Sequence, residues 1–366
     1  MNNSPTVLEI DSKAIQHNLR YFKSKINLQT KLMVVIKAFA YGSDSVAVAK
    51  VLEKEKIDYL AVAYTNEGVV LRKAGIKLPI LVLHPQLENF ENIIDYRLEP
   101  NLYSFKSFLY FKRLAGDRNL KDYPVHIKLN SGMNRLGFKM NDLKKLQNVL
   151  LDLDHLKISS IYSHLAASED FLEREFTQQQ ISDFNKMSEA LIDVLNYKPL
   201  RHISNTSGII NYPEAQFDMV RLGIGFYGFG NDDLETKKLK NVCNLKTKIS
   251  QIQNINKGET VSYNRKFKAK KLSKIAIIPI GYADGINRAL SNGKGYVTIN
   301  DQKAPIAGTV CMDIIMADIT KIDCKEGDEV IVFNHQDHVL DLAKSTNTIP
   351  YEILTSISQR VRRNTI

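Results

Sequence analysis

Between about residues 30 and 230, short apolar runs alternate with stretches whose apolar residues recur at helical spacing. Residues 33–36 continue a run of five apolar side chains from Leu32, as in a strand buried on both faces. A helical pattern follows through Val46, Val48, Val51 and Leu52. The same pairing of strand run and helix recurs: 59–63 then 69–73, 80–83 then 89–94, 98–102 then 105–114, 125–129 then 143–150, and 158–162 then 175–196. In the last helix Phe184, Met187, Leu191, Val194 and Leu195 form one face. Runs at 200–203 and 219–222 complete the series. About eight such units imply a parallel sheet, and in some 200 residues they fit a closed, TIM-like (β/α)8 barrel. The rival, a doubly wound sheet, lacks a GxGxxG after its first strand.

After about residue 235 the pattern changes. Leu245, Thr247 and Ile249 alternate; 274–280 and 330–333 read as strands; 296–299 and 306–310 read as a hairpin around Asn300-Asp301. The expected organisation is a barrel over 1–235 and a mostly β domain over 236–366, with no low-complexity linker between them.

The 366 residues are 44% hydrophobic and 25% charged, an ordinary globular balance. No apolar stretch reaches signal-peptide or membrane-spanning length, so the chain is read as cytoplasmic, with no membrane partner. Cys243, Cys311 and Cys324 form no disulfide framework and no zinc pattern, and no metal is expected. The net charge of +10 collects in exposed-looking clusters such as 266–271 and 360–363. These lack the aromatic interleaving of a nucleic-acid platform, but a positive field favours a small anionic ligand.

In a (β/α)8 barrel the active site lies at the C-terminal strand ends. Read off in order, those ends are polar: Lys37 with Tyr41, then Lys128 with Arg135, His164, His202 with Asn205 and Thr206, and Arg221 followed by Leu-Gly-Ile-Gly. Each alone has a bland explanation, from a snorkelling lysine to a structural histidine to turn glycines. Together they describe a desolvated lysine, able to attack a carbonyl, near backbone N–H groups suited to a phosphate. With an arginine for a pyridine nitrogen, the set suggests pyridoxal 5′-phosphate (PLP).

The sequence resembles the alanine racemase family of two-domain, PLP-dependent barrel enzymes. The resemblance rests on motifs in order along nearly the whole chain: Thr6-Val-Leu-Glu-Ile-Asp11, His17-Asn18-Leu19, Lys37-Ala-Phe-Ala-Tyr-Gly42, Lys128-Leu-Asn-Ser-Gly-Met-Asn-Arg-Leu-Gly137, Tyr162-Ser-His-Leu-Ala166, His202-Ile-Ser-Asn-Thr206, Val220-Arg-Leu-Gly-Ile224, Val261-Ser-Tyr263, Pro279-Ile-Gly-Tyr-Ala-Asp-Gly285, Gly308-Thr-Val-Cys-Met-Asp313 and Ile349-Pro-Tyr-Glu352.

The resemblance implies interconversion of L- and D-alanine by two bases, supplying D-alanine for bacterial peptidoglycan. Lys37 would carry PLP as a Schiff base and serve as one base. Tyr263, donated by the other subunit of a homodimer, would be the second. A phenol titrates near about 10 and needs neighbouring positive charge to act as a base; His164, His202 and Arg221 inherit that network, with Arg221 at the ring nitrogen. Tyr41, Asn205, Thr206, Gly223, Ile224 and Tyr351 would hold the cofactor and its phosphate. Arg135 would contact the cofactor's phenolic oxygen and, with the Met312 backbone, the substrate carboxylate. His202 would belong to the cofactor-binding set, and Tyr282, Cys311 and Asp313 would line the entrance. Lys128 matches a lysine often carbamylated in the family.

The chain departs from the family pattern at Phe39 (usually Asn), Ser43-Asp44 (often His-Gly), Asn264 (usually Gly) and Arg362 (usually Pro). Two alternatives stay open: a broader amino-acid racemase acting on serine, and a PLP-binding protein without turnover.

Overall fold

A computed structural model describes residues 4–366. The chain opens with β1 (Val7–Ile10) and a helix, Ser12–Lys23, capped by the Asp11 carboxylate on the Lys13 and Ala14 N–H groups. Then come β2 (Lys31–Val35), β3 (Tyr59–Val62), β4 (Ile80–Val82), β5 (Glu99–Leu102), β6 (Tyr123–Lys128), β7 (Leu156–Tyr162), β8 (Leu200–His202) and β9 (Met219–Leu222). These eight strands are parallel, in the order β8-β7-β6-β5-β4-β3-β2-β9. Asp218 N–H to Arg201 O (3.0 Å) and Arg221 N–H to Ser204 O (3.1 Å) bridge β8 to β9 and close the barrel. The expected (β/α)8 architecture is the one observed.

The second half comprises β10 (Cys243–Lys248), β11 (Gln251–Ile255), β12 (Thr260–Val261), β13 (Phe267–Lys268), β14 (Ser273–Ile278), β15 (Tyr296–Ile299), β16 (Gln302–Pro305), β17 (Ile315–Asp318), β18 (Glu329–Phe333) and β19 (Arg362–Thr365). One sheet runs β16-β15-β18-β10-β1-β19 and another β11-β14-β17. β1 therefore lies in the β domain, antiparallel to β10 and parallel to β19. No periodicity at residues 7–10 could show this, because the pairing is non-local. The hairpin after β15 returns over Gln302–Pro305, earlier than expected. Asn300 and Asp301 both take positive φ (48° and 59°), the two-residue turn that matches strand twist. Ile306 makes an isolated bridge to Ala317 instead.

One apolar core is continuous from barrel to β domain, running from Leu32 and Leu60 through Phe226 to Leu245 and Val330. Among the described residues no helix is long and apolar enough to cross a membrane.

Candidate active site

Strand β2 leads into Lys37 and then into an unusual turn. Ala38, Phe39, Ala40 and Tyr41 all adopt left-handed φ (52–56°), followed by Gly42 at 82°. For L-residues this costs roughly 1–2 kcal/mol each, so the surroundings must impose it. Glu67 does much of that. One carboxylate oxygen accepts the Ala38 N–H (2.6 Å), and the other accepts those of Ala63 (2.7 Å) and Tyr64 (3.1 Å). Gly42 is required, since a Cβ there would lie 1.9 Å from the Leu354 carbonyl oxygen. Arg363, on β19, donates to the Gly42 and Ser43 carbonyls. The departure Ser43-Asp44 has local duties as well: Ser43 Oγ donates to Ala40 O, and Asp44 caps the helix Ser45–Lys54.

The turn aims Lys37 into a cavity of about 500 Å³ at the C-terminal ends of the strands. Lys37, Lys128, Arg135 and Arg221 line it, and no carboxylate does. Burial, and then Arg135, lower the Lys37 pKa; Glu67 opposes them. Lys128, 4.6 Å over the Tyr162 ring, is driven well below the ordinary lysine value by burial first and then by the charges of Arg221 and Arg135.

Arg221 is buried and donates to five acceptors: His202 Nδ1 (2.6 Å), Ser163 O (2.7 Å), His164 Nδ1 (2.9 Å), Ile203 O (3.0 Å) and His202 O (3.4 Å). Burial pulls its pKa down to about 10, which leaves it cationic at neutral pH. Burial and then Arg221 push His164 and His202 well below the usual histidine value. Each accepts an Arg221 N–H at Nδ1, which leaves its proton on Nε2.

Across the cavity, Thr206 Oγ1 accepts the N–H of Gly223 (3.0 Å) and Gly225 (3.4 Å), leaving its own hydroxyl proton to donate. A Cβ on Gly223 would sit 3.0 Å from Tyr41 Oη, so the glycine keeps this corner open. Tyr41 stacks on Tyr227 (4.5 Å) and tilts against Tyr351 (5.8 Å). Asn205 caps the helix Thr206–Asn211 through Gly208 N–H, and Ile224 begins the one-turn 3₁₀ helix Ile224–Tyr227. Clustered hydroxyls and backbone N–H groups beside uncompensated cations fit a phosphate ester carried by an aldehyde that the lysine can capture.

Of the expected site residues, Lys37, Tyr41, Lys128, Arg135, His164, Asn205, Thr206, Arg221, Gly223 and Tyr351 line this one cavity. His202 stands behind Arg221, and Ile224 next to Gly223. Tyr263, Tyr282, Cys311, Met312 and Asp313 do not line it. Tyr263, 69% exposed, shares a depression of about 600 Å³ in the β domain with Tyr282, Cys311 and Met312. Asp313 borders an adjoining apolar groove with Val261, Ile275 and Met316. Arg360 pins that rim, binding Asp284 through Nε (2.7 Å) and Asp313 through Nη2 (2.7 Å). Asn264 takes φ 55°, where glycine and asparagine are both comfortable, which accounts for that departure. Arg362 is exposed on the edge strand β19, the strand position in which proline costs least.

The motifs did not single out Glu67, Glu99, His126 or Ser160. The run Val125-His-Ile-Lys-Leu129 held a usable signal: polar side chains at every second position of a barrel strand must face its interior.

A carboxylate-free cationic cavity with an amine and a phosphate cradle at the mouth of a (β/α)8 barrel defines a phosphate-cofactor enzyme fold. Residues 10–230 match the family profile "Alanine racemase, N-terminal domain", and residues 242–365 match "Alanine racemase, C-terminal domain". The chain belongs to the alanine racemase family. It is 38% identical over 366 residues to the alanine racemase of Thermodesulfovibrio yellowstonii, covering 98% of this chain and 97% of that one. It superposes on the alanine racemase structure from Clostridium difficile 630 with a TM-score of 0.94 at 35% identity, covering 100% of this chain and 97% of that one. A Bartonella henselae alanine racemase structure, described with covalently bound pyridoxal phosphate, gives 0.88 at 30% identity and 99% coverage of each chain.

Proposed function

We propose that this chain racemises alanine with PLP, as a homodimer in which each site is completed by the partner. The observation that carries the reading is the meeting, in one carboxylate-free cavity, of a lysine of lowered pKa with the Tyr41–Thr206–Gly223 cradle. Lys37 would hold the cofactor covalently. Tyr41, Thr206, Tyr351 and the Gly223 and Ile224 backbone would hold its phosphate, with Asn205 fixing the helix start behind them. Arg221, backed by His202, would face the ring nitrogen. When bound, PLP supplies an electron sink that acidifies the Cα–H of the attached amino acid.

The proton transfers belong to two bases on opposite faces of that carbon. The Lys37 amine, kept readily deprotonated by burial and Arg135, takes or gives the proton on one face. The partner subunit's Tyr263 does so on the other. His164, held by Arg221 with its proton on Nε2, would donate to the tyrosine oxygen. Arg135 and the backbone of the partner subunit's Met312 would orient the substrate carboxylate, and a carbamate on Lys128 would steady Arg135. Buried Lys128 suits this modification, since carbamylation needs a neutral amine. Tyr282, Cys311 and Asp313 would line the entrance.

Support for the dimer comes from the exposed Tyr263 and the apolar groove of Val261, Ile275, Ile277, Ile314 and Met316 beside it, which a second copy would cover. We assign the D-alanine product to peptidoglycan synthesis. Cys243, Cys311 and Cys324 are all unpaired, which suits the reducing cytoplasm, where we place the enzyme.

The reading is tested by incubating PLP-loaded protein with L-alanine in deuterium oxide. D-alanine labelled with deuterium at Cα is expected. Neither inversion nor exchange, in protein shown to hold PLP, would reject it.

A further inference from the structure

Behind Arg221 a file of hydrogen bonds crosses the barrel interior. Arg221 Nη1 donates to His202 Nδ1 (2.6 Å), and His202 Nε2 meets Ser160 Oγ (2.8 Å). Ser160 Oγ meets His126 Nδ1 (2.6 Å), and His126 Nε2 meets Glu99 Oε2 (2.8 Å). The five residues stand on β9, β8, β7, β6 and β5, neighbouring strands taken one at a time around the barrel. His126 and Ser160 are register partners; Glu99 lies two residues before Asn101, the partner of His126, and His202 pairs with Tyr162, two residues after Ser160. The file thus climbs from one inward-facing layer to the next. His126, Ser160 and His202 are fully buried, and Glu99 is 8% exposed.

Barrel interiors are normally filled by Val, Ile and Leu. Polar groups there are costly unless every one is paired. Here the pairing is complete, and it has one sense. Guanidinium N–H groups only donate, so His202 accepts at Nδ1 and carries its proton on Nε2. Ser160 accepts that proton and donates its own to His126 Nδ1. His126 then carries its proton on Nε2 and gives it to the Glu99 carboxylate, which only accepts. With neutral imidazoles, no other arrangement matches every donor to an acceptor. Reversing it would set an N–H of His202 against an N–H of Arg221.

We propose that Glu99 and His126 are positioning residues of the active site: through Ser160 they fix the acceptor of the His202 Nε2–H, the far end of a tautomer that Arg221 sets from the near end, and His202 so anchored holds Arg221 in place as a donor at the cavity floor. The consequence for catalysis rests on the reading of Arg221 as the group facing the cofactor ring. The tautomers themselves do not. Other groups sense the same carboxylate. Tyr59, edge-on to His126 at 6.0 Å, has its phenol pushed up by burial and then by Glu99. Arg72 and Tyr123 also feel its charge.

The test is long-range proton–nitrogen correlation on PLP-loaded protein labelled with ¹⁵N at histidine, assigned with single His→Gln variants. His126 and His202 are expected to be protonated at Nε2 alone. In Glu99→Leu His126 should show mixed tautomers and the His202 nitrogen shifts should move as its Nε2–H loses a fixed acceptor, and kcat for alanine should fall by about tenfold or more with a smaller change in KM, as for a mis-set orienting group. Glu99→Gln, whose amide oxygen can accept the same bond, should restore both. A proton on His202 Nδ1 in the unmodified protein overturns the proposal, whatever the variants do. So does a folded, PLP-loaded Glu99→Leu with unchanged His202 nitrogen shifts and unchanged kcat. The expected tautomers in a protein without racemase activity would reject the assigned reaction and uphold the file.

Discussion

The Lys37 cavity and the Tyr263 depression are built in opposite ways. Around Lys37 a left-handed turn is held by Glu67, by Arg363 from the far end of the chain and by the close approach of Leu354 to Gly42. Lys128 and Arg221 are buried there, and the N–H bonds that Arg221 gives to Nδ1 of His164 and His202 place the histidine protons on Nε2. Tyr263 is mostly exposed, in a shallow depression beside an apolar groove. Positive φ at Ser262, Asn264 and Arg265 shapes its loop, but no packing covers the ring. On the proposed function, one chain finishes the half of the site that binds and polarises, and the Tyr263 face is the half offered to a second copy.

The sharpest break in that contrast is Lys37→Ala. Inversion should fall by at least about 10³-fold, consistent with loss of an acid–base group that is also the covalent anchor. Borohydride treatment of the PLP-loaded protein should fix a pyridoxyl group on the Lys37 peptide of the unmodified chain and on no peptide of the variant. Tyr263→Phe should leave PLP binding and melting temperature unchanged while inversion drops by about 10²–10⁴-fold. Wild-type turnover in that variant would remove Tyr263 from the reaction.

A smaller effect separates the two regions by pH. His164 and His202 have folded pKa values well below the ordinary 6.5, caused by burial and then by Arg221. Below 6.5 the unfolded chain binds protons that the folded chain refuses, so their contribution is intact above that pH and is lost as pH falls from there towards the folded values. Thermal melts should show the midpoint falling between about pH 7 and 5, less steeply in His202→Asn. The smallest effect is at Phe39, exposed and left-handed. Phe39→Asn should stabilise the fold by about 0.5–1 kcal/mol, read from a denaturant midpoint, because asparagine tolerates this conformation better.

The same contrast explains what the sequence made legible. The strand ends could be read because the apolar run from Leu32 stops at Lys37, and because His202 and Arg221 interrupt later strand runs at the same rim. The membership of Tyr263 and Met312 in a site came only from motif resemblance, since nothing local to an exposed loop records what it faces. The left-handed turn was hidden because Ala38, Phe39 and Ala40 carry no glycine signature; Glu67, Leu354 and Arg363, distant in sequence, impose it. The interior file was hidden for a related reason. Glu99, His126 and Ser160 look like isolated polar residues until β5, β6 and β7 lie side by side. β1 likewise joined the β domain through partners more than half the chain away.

Mixing Lys37→Ala with Tyr263→Phe tests the central claim most directly. Each variant alone should be inactive. If the site joins the Lys37 cavity of one subunit to the Tyr263 face of the other, exchange of subunits creates heterodimers with one intact site, and activity should rise to about a quarter of the unmodified level. A mixture that exchanges subunits but stays as inactive as its parents would contradict a site shared between two copies of the chain.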